Sequence, residues 1–366
     1  MPKRQMTFVF PGDINTRTGG YRYDKRIIEG LTEIDSALNA PLRINWQVSL
    51  MSLQGDYPSP TQAQLENAAA QLSTVPDGML TVVDGLAFSV MPDIMAQHSE
   101  RLTIVALIHH PLALETGLSE SQSKTLKTLE TQALRHAEHV ITTSHLTAQS
   151  MVEYDVESEK ITAILPGTDV AEIAAGSGSD MCNLLCVATL TPRKAHNILL
   201  DALHRLSDLD WHLYCAGSTD RNAAVHQQLL EQCNDLVLTE NVSFTGELDD
   251  DELNAYYAQA NLFVLASYHE GYGMVLTEAI ARGLPIVCSD AGAMPQTVPD
   301  GAGILVPPGD ADTLADALRS AISDDKVQTR LKNAALKARE ELRSWEAASL
   351  EFSQTLDKLL KNTHGS

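Results

Sequence analysis

The sequence predicts two α/β domains in tandem, each a doubly wound parallel sheet with helices on both faces. The chain has 366 residues, enough for two ordinary domains. Short apolar runs alternate with longer stretches of helical spacing. This alternation pauses at 174–180, a linker-like stretch rich in glycine and serine, and then restarts. We therefore predict one domain over 1–172 and a second over 173–344.

Strands of the first domain are predicted from short runs of apolar and β-branched residues. They lie at 6–10, 44–50, 80–83, 102–108, 139–143 and 161–165. The first ends at Pro11-Gly12, and helical spacing follows over 21–39, where Ile27, Leu31 and Leu38 recur. A second helix is predicted around 121–137. Strands that alternate with helices of this length favour a parallel sheet.

The second domain repeats the pattern. Its predicted strands lie at 183–188, 211–216, 241–244, 261–265, 284–288 and 303–306. Its predicted helices lie at 195–206, 221–234, 251–259, 273–282 and 311–323, and the chain from about 326 to 361 is helical and charged. Ligands of doubly wound domains bind at the carboxyl ends of the strands, so the loops after these strands are the places to search.

The composition excludes several classes of function. Lys and Arg number 26 against 48 Asp and Glu, which gives a net charge of −22. Such a chain repels nucleic acid and anionic membrane surfaces, so neither is expected as a partner. The five cysteines do not form the pattern of a secreted disulfide framework, and no apolar run is long enough to span a membrane. We expect a cytoplasmic protein.

The richest motif follows the predicted strand 261–265 and carries two glutamates, Glu270 and Glu278. Glycine lets the backbone approach a ligand closely, and the free amides at a helix start attract oxyanions. Each carboxylate can accept hydrogen bonds from a pair of hydroxyls. Either glutamate alone would more simply be a solvated surface residue, but together they predict a site for an extended ligand. The residues between them that we assign to this site are Gly271, Tyr272, Gly273, Met274 and Val275.

An adjacent pair of cations, Arg193 and Lys194, follows the predicted strand 183–188. In so acidic a chain, two cations at the carboxyl end of a strand suit a diphosphate, which Arg binds as a planar fork and Lys as a point charge. A solvated basic pair is the competing interpretation, and for this motif alone the two are equally favoured.

Two weaker motifs lie in the first domain. Gly19-Gly20 precedes a helix and could admit a ligand against the backbone, although it matches no dinucleotide or P-loop fingerprint. His109-His110 ends the strand 102–108 and could handle a proton or bind a polar group. Each histidine alone would more simply be structural. No third ligand stands at recognisable spacing, so no metal site is predicted.

Taken together, these motifs resemble glycosyltransferase family four, the retaining enzymes of the GT-B fold. Glu270 and Glu278 match the family's E-x7-E motif, and Glu270-Gly-Tyr-Gly-Met274 matches its core. The resemblance covers nearly the whole chain and is strongest from 183 to 310. It implies two Rossmann-like domains that face each other across a cleft, with a C-terminal helix, residues 345–366, that crosses back to the first domain.

The resemblance also implies roles for the candidate residues. Glu278 would hold the ribose of a nucleotide sugar, Glu270 the donor sugar, and Arg193 with Lys194 the diphosphate. Gly20 would lie near the donor phosphates. His109, or His110 in its place, would lie beside the donor sugar.

The implied activity is transfer of a hexose-type sugar from a nucleotide diphospho-sugar to a hydroxyl of an acceptor, with retention and without a metal or other cofactor. The acidic net charge favours a soluble acceptor. The donor base, the sugar and the acceptor stay open. Two alternatives also stay open: a non-catalytic nucleotide-sugar-binding protein, and a GT-B enzyme of the phosphorylase or epimerase type that acts on the donor sugar itself.

Overall fold

The computed structural model describes residues 4–32 and 46–363. The chain divides into two compact units. The N-terminal unit ends at Gly167 and regains the chain from Arg343 onward, and the C-terminal unit is Thr168–Leu342. Parts of three predicted elements lie outside the described residues: 33–39 of the helix 21–39, 44–45 of the strand 44–50, and 364–366 of the crossing helix.

Each unit is built on one six-stranded sheet. The first sheet contains β1 Arg4–Pro11, β2 Trp46–Leu53, β3 Leu80–Asp84, β4 Thr103–Ile108, β5 His139–Thr142 and β6 Ile161–Ala163. The second contains β7 Cys182–Val187, β8 Trp211–Ala216, β9 Val242–Gly246, β10 Leu262–Leu265, β11 Ile286–Ser289 and β12 Gly303–Val306.

Both sheets are parallel throughout, as the alternating pattern predicts. The strand order is β2-β1-β3-β4-β5-β6 in the first and β12-β11-β10-β7-β8-β9 in the second. The order reverses direction between β1 and β3, and again between β7 and β10. Loops on the two sides of such a switch point diverge and leave a crevice at the carboxyl ends of the strands, where ligands of these sheets bind.

Helices connect the strands and cover the sheets. Those of the N-terminal unit are α1 Gly19–Thr32, α2 Gln62–Leu72, α3 Gly85–Phe88, α4 Pro92–His98, α5 Glu120–Leu134 and α6 His145–Ser150. Those of the C-terminal unit are α7 His196–His204, α8 Ala223–Asp235, α9 Asp250–Gln259, α10 Met274–Ala281, α11 Met294–Thr297, α12 Ala311–Ser323 and α13 Asp325–Ala338.

The last helix, α14 Trp345–Thr363, belongs to the N-terminal unit and packs against α1. Gly30 leaves the room that Ser349 occupies, because a Cβ at this position would collide with the serine side chain. The Trp46 indole donates a buried hydrogen bond of 2.9 Å to Ser353. The region from about 326 to 361, which the sequence predicts to be helical, consists of two helices, α13 and α14, separated by the segment 339–344.

The segment 174–180, which the sequence predicts to be a linker, is attached to the C-terminal unit. The amide of Ala174 donates to the carbonyl of Arg282, and the amides of Ala175 and Gly176 donate to that of Ala258. The division between the units instead falls before it, between Gly167 and Thr168. Glycine and serine here serve an irregular but hydrogen-bonded path, which composition alone does not distinguish from a linker.

Candidate active site

The switch point of the second sheet brings two loops together. Strands β7 and β10 are hydrogen-bonded neighbours. After β7 the chain forms a short 3-10 turn, Pro192–Lys194, and after β10 it runs through the glycine-containing loop 266–273 to α10. The predicted diphosphate cations and the predicted sugar-binding glutamate are thus on adjacent loops at the position where this topology places ligands.

Both cations contact Glu270. The Lys194 Nζ atom lies 2.6 Å from Glu270 Oε1, and the Arg193 Nη1 atom lies 3.5 Å from Glu270 Oε2. Arg193 is also fixed to the loop by two further bonds: its Nη1 donates to the carbonyl of His269 at 2.7 Å, and its carbonyl accepts from the amide of Tyr268. The structure therefore joins Arg193, Lys194 and Glu270 into one buried ionic cluster.

Glu270 is ionised at neutral pH. Burial raises the pKa of its carboxyl, but Lys194 and then Arg193 outweigh burial and lower the pKa from 4.5 to about 2. One carboxylate against two cations leaves the cluster with a net positive charge, in a chain whose total is −22. A cationic centre followed by the start of α10, with its free amides, is suited to an oxyanion.

The loop between Glu270 and α10 has a fixed backbone. Gly292 lies so close beneath Glu270 that a Cβ there would collide with the Glu270 backbone, and the amide of Ala293 donates to the Glu270 carbonyl at 2.9 Å. Thr297 donates a hydrogen bond of 2.6 Å to the carbonyl of Tyr272. Gly273 caps α10 with a φ of 88°, a left-handed conformation that favours glycine.

Glu278 lies within α10 and is 9% exposed. Its Oε2 accepts a hydrogen bond of 3.2 Å from the Tyr257 hydroxyl. Arg282 donates to the Glu278 carbonyl and lies over the Tyr257 ring, 4.1 Å from its centroid. The sequence prediction did not include Tyr257. The glutamate is therefore held by α9 as well as by its own helix.

The N-terminal unit contains a second cluster at the carboxyl ends of its strands. His109 follows β4, Asp84 ends β3, and Asp24 lies in α1, which follows β1. The His109 Nε2 atom lies 3.1 Å from Asp24 Oδ1 and 3.2 Å from Asp84 Oδ2. Asp24 is fully buried, and Asp84 is 4% exposed. The structure thus places two buried carboxylates beside the ring of His109, which the sequence had singled out.

Gly20 packs against this ring. A Cβ at Gly20 would lie 3.2 Å from His109 Cδ2, whereas a Cβ at Gly19 would meet no atom within 4 Å. The structure therefore brings Gly20 and His109 together and gives Gly20 a packing reason to be glycine. His110 turns to a different partner, since its Nε2 lies 3.5 Å from a Glu115 carboxylate oxygen.

A metal ion could bridge ligand atoms of Asp24, Asp84 and His109, which all lie within 4.8 Å of one another. Both carboxylates are at ordinary hydrogen-bond distance from the ring nitrogen. We therefore describe the group as a hydrogen-bonded cluster, and the absence of a metal requirement stays a prediction.

Sequence reasoning missed Asp24 and Asp84, although each carried a signal. Asp84 directly follows four apolar or β-branched residues, the same strand-end position that indicated His109. Asp24 lies beside Tyr23 and one helical turn before Ile27, so it is a charge on the buried side of an amphipathic helix. A buried charge usually has a partner, and the partner here is 85 residues away in the chain.

Comparison with known proteins identifies the family. The family described as Glycosyltransferase Family 4 matches residues 86–172, and that described as Glycosyl transferases group 1 matches residues 176–338. The first match covers part of the N-terminal unit, and the second covers nearly all of the C-terminal unit. The chain belongs to the family four glycosyltransferases.

Curated relatives of this glycosyltransferase are distant. A D-inositol 3-phosphate glycosyltransferase from Corynebacterium kroppenstedtii is 28% identical over 233 residues, 58% of this chain and 51% of the relative. An MMP alpha-(1->4)-mannosyltransferase from Mycolicibacterium hassiacum is 24% identical over 273 residues, 70% of this chain and 66% of the relative. The chain thus spans about half to two thirds of the length of these relatives.

Solved structures confirm the GT-B fold. Sucrose-phosphate synthase from Thermosynechococcus elongatus superposes with a TM-score of 0.81 at 20% identity, over 98% of this chain and all of that one. HepE from Anabaena, in complex with UDP and glucose, superposes with a TM-score of 0.75 at 17% identity, over 96% of this chain and all of that one. Within the described residues, no helix has the length and apolar character needed to cross a membrane.

Proposed function

We propose that this family member is a retaining, metal-independent glycosyltransferase that moves a hexose-type sugar from a nucleotide diphospho-sugar to a hydroxyl of a soluble acceptor. One observation carries the proposal. Arg193, Lys194 and Glu270, from two loops 76 residues apart, form a net cationic cluster at the switch point of the second sheet, just before α10. That is the chemistry a sugar diphosphate requires.

The two cations would act on the leaving group. As the bond from the anomeric carbon to the diphosphate oxygen breaks, negative charge grows on the phosphate. Arg193 and Lys194 already carry full positive charge in a nearly buried setting, where each side chain is about 15% exposed. Their attraction for the diphosphate therefore strengthens as that charge develops, which lowers the barrier more than it tightens ground-state binding.

The two glutamates would hold the rest of the donor. Glu270 stays a carboxylate at neutral pH and can accept hydrogen bonds from sugar hydroxyls. Glu278 lies farther along α10 and would accept from the ribose hydroxyls, as the resemblance to the family implies.

The proposed chemistry is attack on the same face from which the diphosphate departs. Glu270 is ion-paired to Lys194 and Arg193, and this pairing makes it a weak nucleophile. The acceptor oxygen would form its bond to the anomeric carbon as the diphosphate oxygen leaves. The acceptor proton would pass to the departing phosphate. This sequence retains the anomeric configuration and needs no metal.

A soluble, hydroxyl-bearing acceptor is favoured by two observations. The net charge of −22 opposes binding to anionic membranes. Inositol 3-phosphate, which the names of several relatives contain, is a small molecule with free hydroxyls. We propose an acceptor of that general class, a polyol or sugar with or without a phosphate.

The proposal is tested by incubating the protein in EDTA with the UDP, GDP and ADP derivatives of glucose and mannose and a panel of polyol and sugar acceptors. Acceptor-dependent release of nucleoside diphosphate is expected, with the anomeric configuration of the donor retained in the product by proton NMR. Release that needs no acceptor would indicate an enzyme acting on the donor sugar itself. Tight donor binding without any turnover would indicate a non-catalytic binding protein.

A further inference from the structure

The cluster in the N-terminal unit, which we call the imidazole clamp, consists of Asp24, Asp84 and His109. One ring nitrogen, Nε2, lies 3.1 Å from one carboxylate and 3.2 Å from the other. Ionised carboxylates only accept hydrogen bonds. If Nε2 carried no hydrogen, it could accept a hydrogen bond from one protonated carboxyl group at most. Its lone pair would then also face an oxygen of the second carboxylate, which is unfavourable. A hydrogen on Nε2 that is shared between both carboxylates satisfies the geometry.

The ring of His109 is the most exposed of the three side chains. Gly20 covers the Cδ2–Nε2 side, and Tyr23 packs edge-on with its ring centroid 5.6 Å away. The His109 side chain is 18% exposed, whereas those of Asp24 and Asp84 are 0% and 6% exposed. The ring is therefore the member of this cluster that a substrate can reach most readily.

We infer that Asp24 and Asp84 are positioning residues that hold His109 as a fixed, doubly protonated hydrogen-bond donor rather than as a base. The role of this donor in sugar transfer rests on the proposed function. The clamp holds one proton on Nε2, and the second proton, on Nδ1, is the one that can be donated to a ligand. His109 then donates to an oxygen of the substrate and does not remove the proton of the acceptor hydroxyl. That task falls to the departing phosphate.

The electrostatics of the surrounding groups agree with this assignment. Burial lowers the pKa of His109, but Asp24 and Asp84 outweigh burial and raise the pKa from 6.5 to about 10. Tyr23 beside the ring stays neutral, because burial first and Asp24 next raise its pKa. Arg343 and Glu351, from the C-terminal part of the unit, act on Tyr23 with opposite signs.

Two nearby groups do not supply a competing partner for the ring. The His110 Nε2 atom lies 3.5 Å from a Glu115 carboxylate oxygen. Thr143 donates to the carbonyl of His109 and not to its ring. Asp24 has one carboxylate oxygen, Oδ2, that is buried without a hydrogen-bond partner. Burial raises the pKa of Asp24, His109 lowers it, and Asp84 raises it.

The test is nitrogen-15 NMR of the histidine rings in the full chain, with His109 assigned from the spectrum of His109→Gln. We expect both ring nitrogens of His109 to have imidazolium shifts from about pH 5.5 to about pH 9, with no titration near the usual value of about 6.5. His139 is the internal control, because burial and then Lys358 lower its pKa to about 4, so its ring stays neutral over that range. A single neutral tautomer of His109 at pH 7 would overturn the inference, as would a metal ion bound to it that EDTA removes with a change in its shifts.

Two conservative variants test the carboxylates. Asp84→Asn keeps the oxygen that accepts from the Leu86 amide, so it removes the charge with little change to the start of α3. Asp24→Asn removes the other charge. Each should lower the pKa of His109 by at least one unit, and a pKa that neither variant moves would overturn the clamp. If Asp24→Asn does not fold, Asp84→Asn and the spectrum of the unmodified protein still decide the matter.

Different results would contradict the clamp and the proposed function. The NMR result does not depend on turnover, so an imidazolium without sugar transfer would contradict only the proposed function. If transfer is measured, its rate should show no inflection from His109 between about pH 6 and about pH 9. In Asp84→Asn the rate should fall about twofold or more by pH 9 as the ring loses its proton. A parallel profile in the two proteins would overturn the positioning role.

Discussion

Arg193 and Lys194 are the most direct place to perturb the proposed donor site. The double variant Arg193→Gln/Lys194→Gln replaces both cations with shorter, uncharged polar side chains. Hydrogen bonds to charged groups each contribute about 1.5–3 kcal/mol, so two cations facing a diphosphate contribute about 3–6 kcal/mol. In the free protein both already contact Glu270, at 2.6 and 3.5 Å, which reduces the net gain on binding. We therefore expect a loss of binding free energy at the lower end of this range, about 3 kcal/mol, which corresponds to roughly a 100-fold loss of affinity.

Two further variants distinguish a loss of binding from a loss of folding. Removing both cations leaves the buried Glu270 carboxylate unpaired, which costs about 3–5 kcal/mol and could unfold the protein. The triple variant that adds Glu270→Gln removes this charge and should fold. Arg319→Gln is the matched surface control. It removes a cation of the same unit from an exposed pair with Asp208, 2.7 Å apart, and should not alter donor binding.

The assay is isothermal titration in EDTA with whichever of UDP, GDP or ADP binds the unmodified protein most tightly. The double and triple variants should bind it roughly 100-fold more weakly, and Arg319→Gln should bind it as the unmodified protein does. An unchanged dissociation constant in the folded triple variant would refute the assignment of these two cations to the diphosphate.

Three further predictions concern the two clusters. Glu270→Gln removes the carboxylate that competes for the cations, so nucleoside diphosphate affinity should hold or rise while the transfer rate falls at least 100-fold; weaker diphosphate binding would contradict this. The pKa of Glu270 is about 2 when folded and near 4.5 when unfolded, so its contribution to stability, about 3 kcal/mol, is present above pH 4.5 and is lost as the pH falls from 4.5 towards 2. Chemical unfolding of Glu270→Gln should therefore depend less on pH in that range, and an equal acid dependence would count against the ion pair. Finally, Gly20→Ala should be less stable than Gly19→Ala by about 1 kcal/mol or more, because only the former presses a Cβ against His109; equal urea midpoints would contradict the packing.

Much of the fold could be predicted from the sequence because parallel sheets buried on both faces leave strong local signals. The runs at 80–83 and 211–216 are nearly continuous in apolar residues, and the structure has strands at Leu80–Asp84 and Trp211–Ala216. The irregular path at 174–180 was harder. Its hydrogen bonds to residues 258 and 282 depend on distant parts of the chain, and its composition is that of a linker.

The candidate site, too, could be predicted from the sequence only in part. Arg193 and Glu270 were recognised because each follows an apolar strand, and strand ends in this fold share one edge. Their contact could not be predicted, because it depends on β7 and β10 being neighbours although two strands separate them in sequence. Asp24 and Asp84 were missed for a related reason. A lone carboxylate in a sequence resembles a surface residue until the fold places a histidine beside it.

The central claim is that the cluster of Arg193, Lys194 and Glu270 binds the diphosphate of a nucleotide sugar. It is tested most directly by titrating the unmodified protein, in EDTA, with UDP, GDP and ADP and with the corresponding monophosphates. We predict that one base is preferred and that its diphosphate binds at least tenfold more tightly than its monophosphate, because the second phosphate meets the two cations. Equal affinity for the two, or no binding by the folded protein, would contradict the claim.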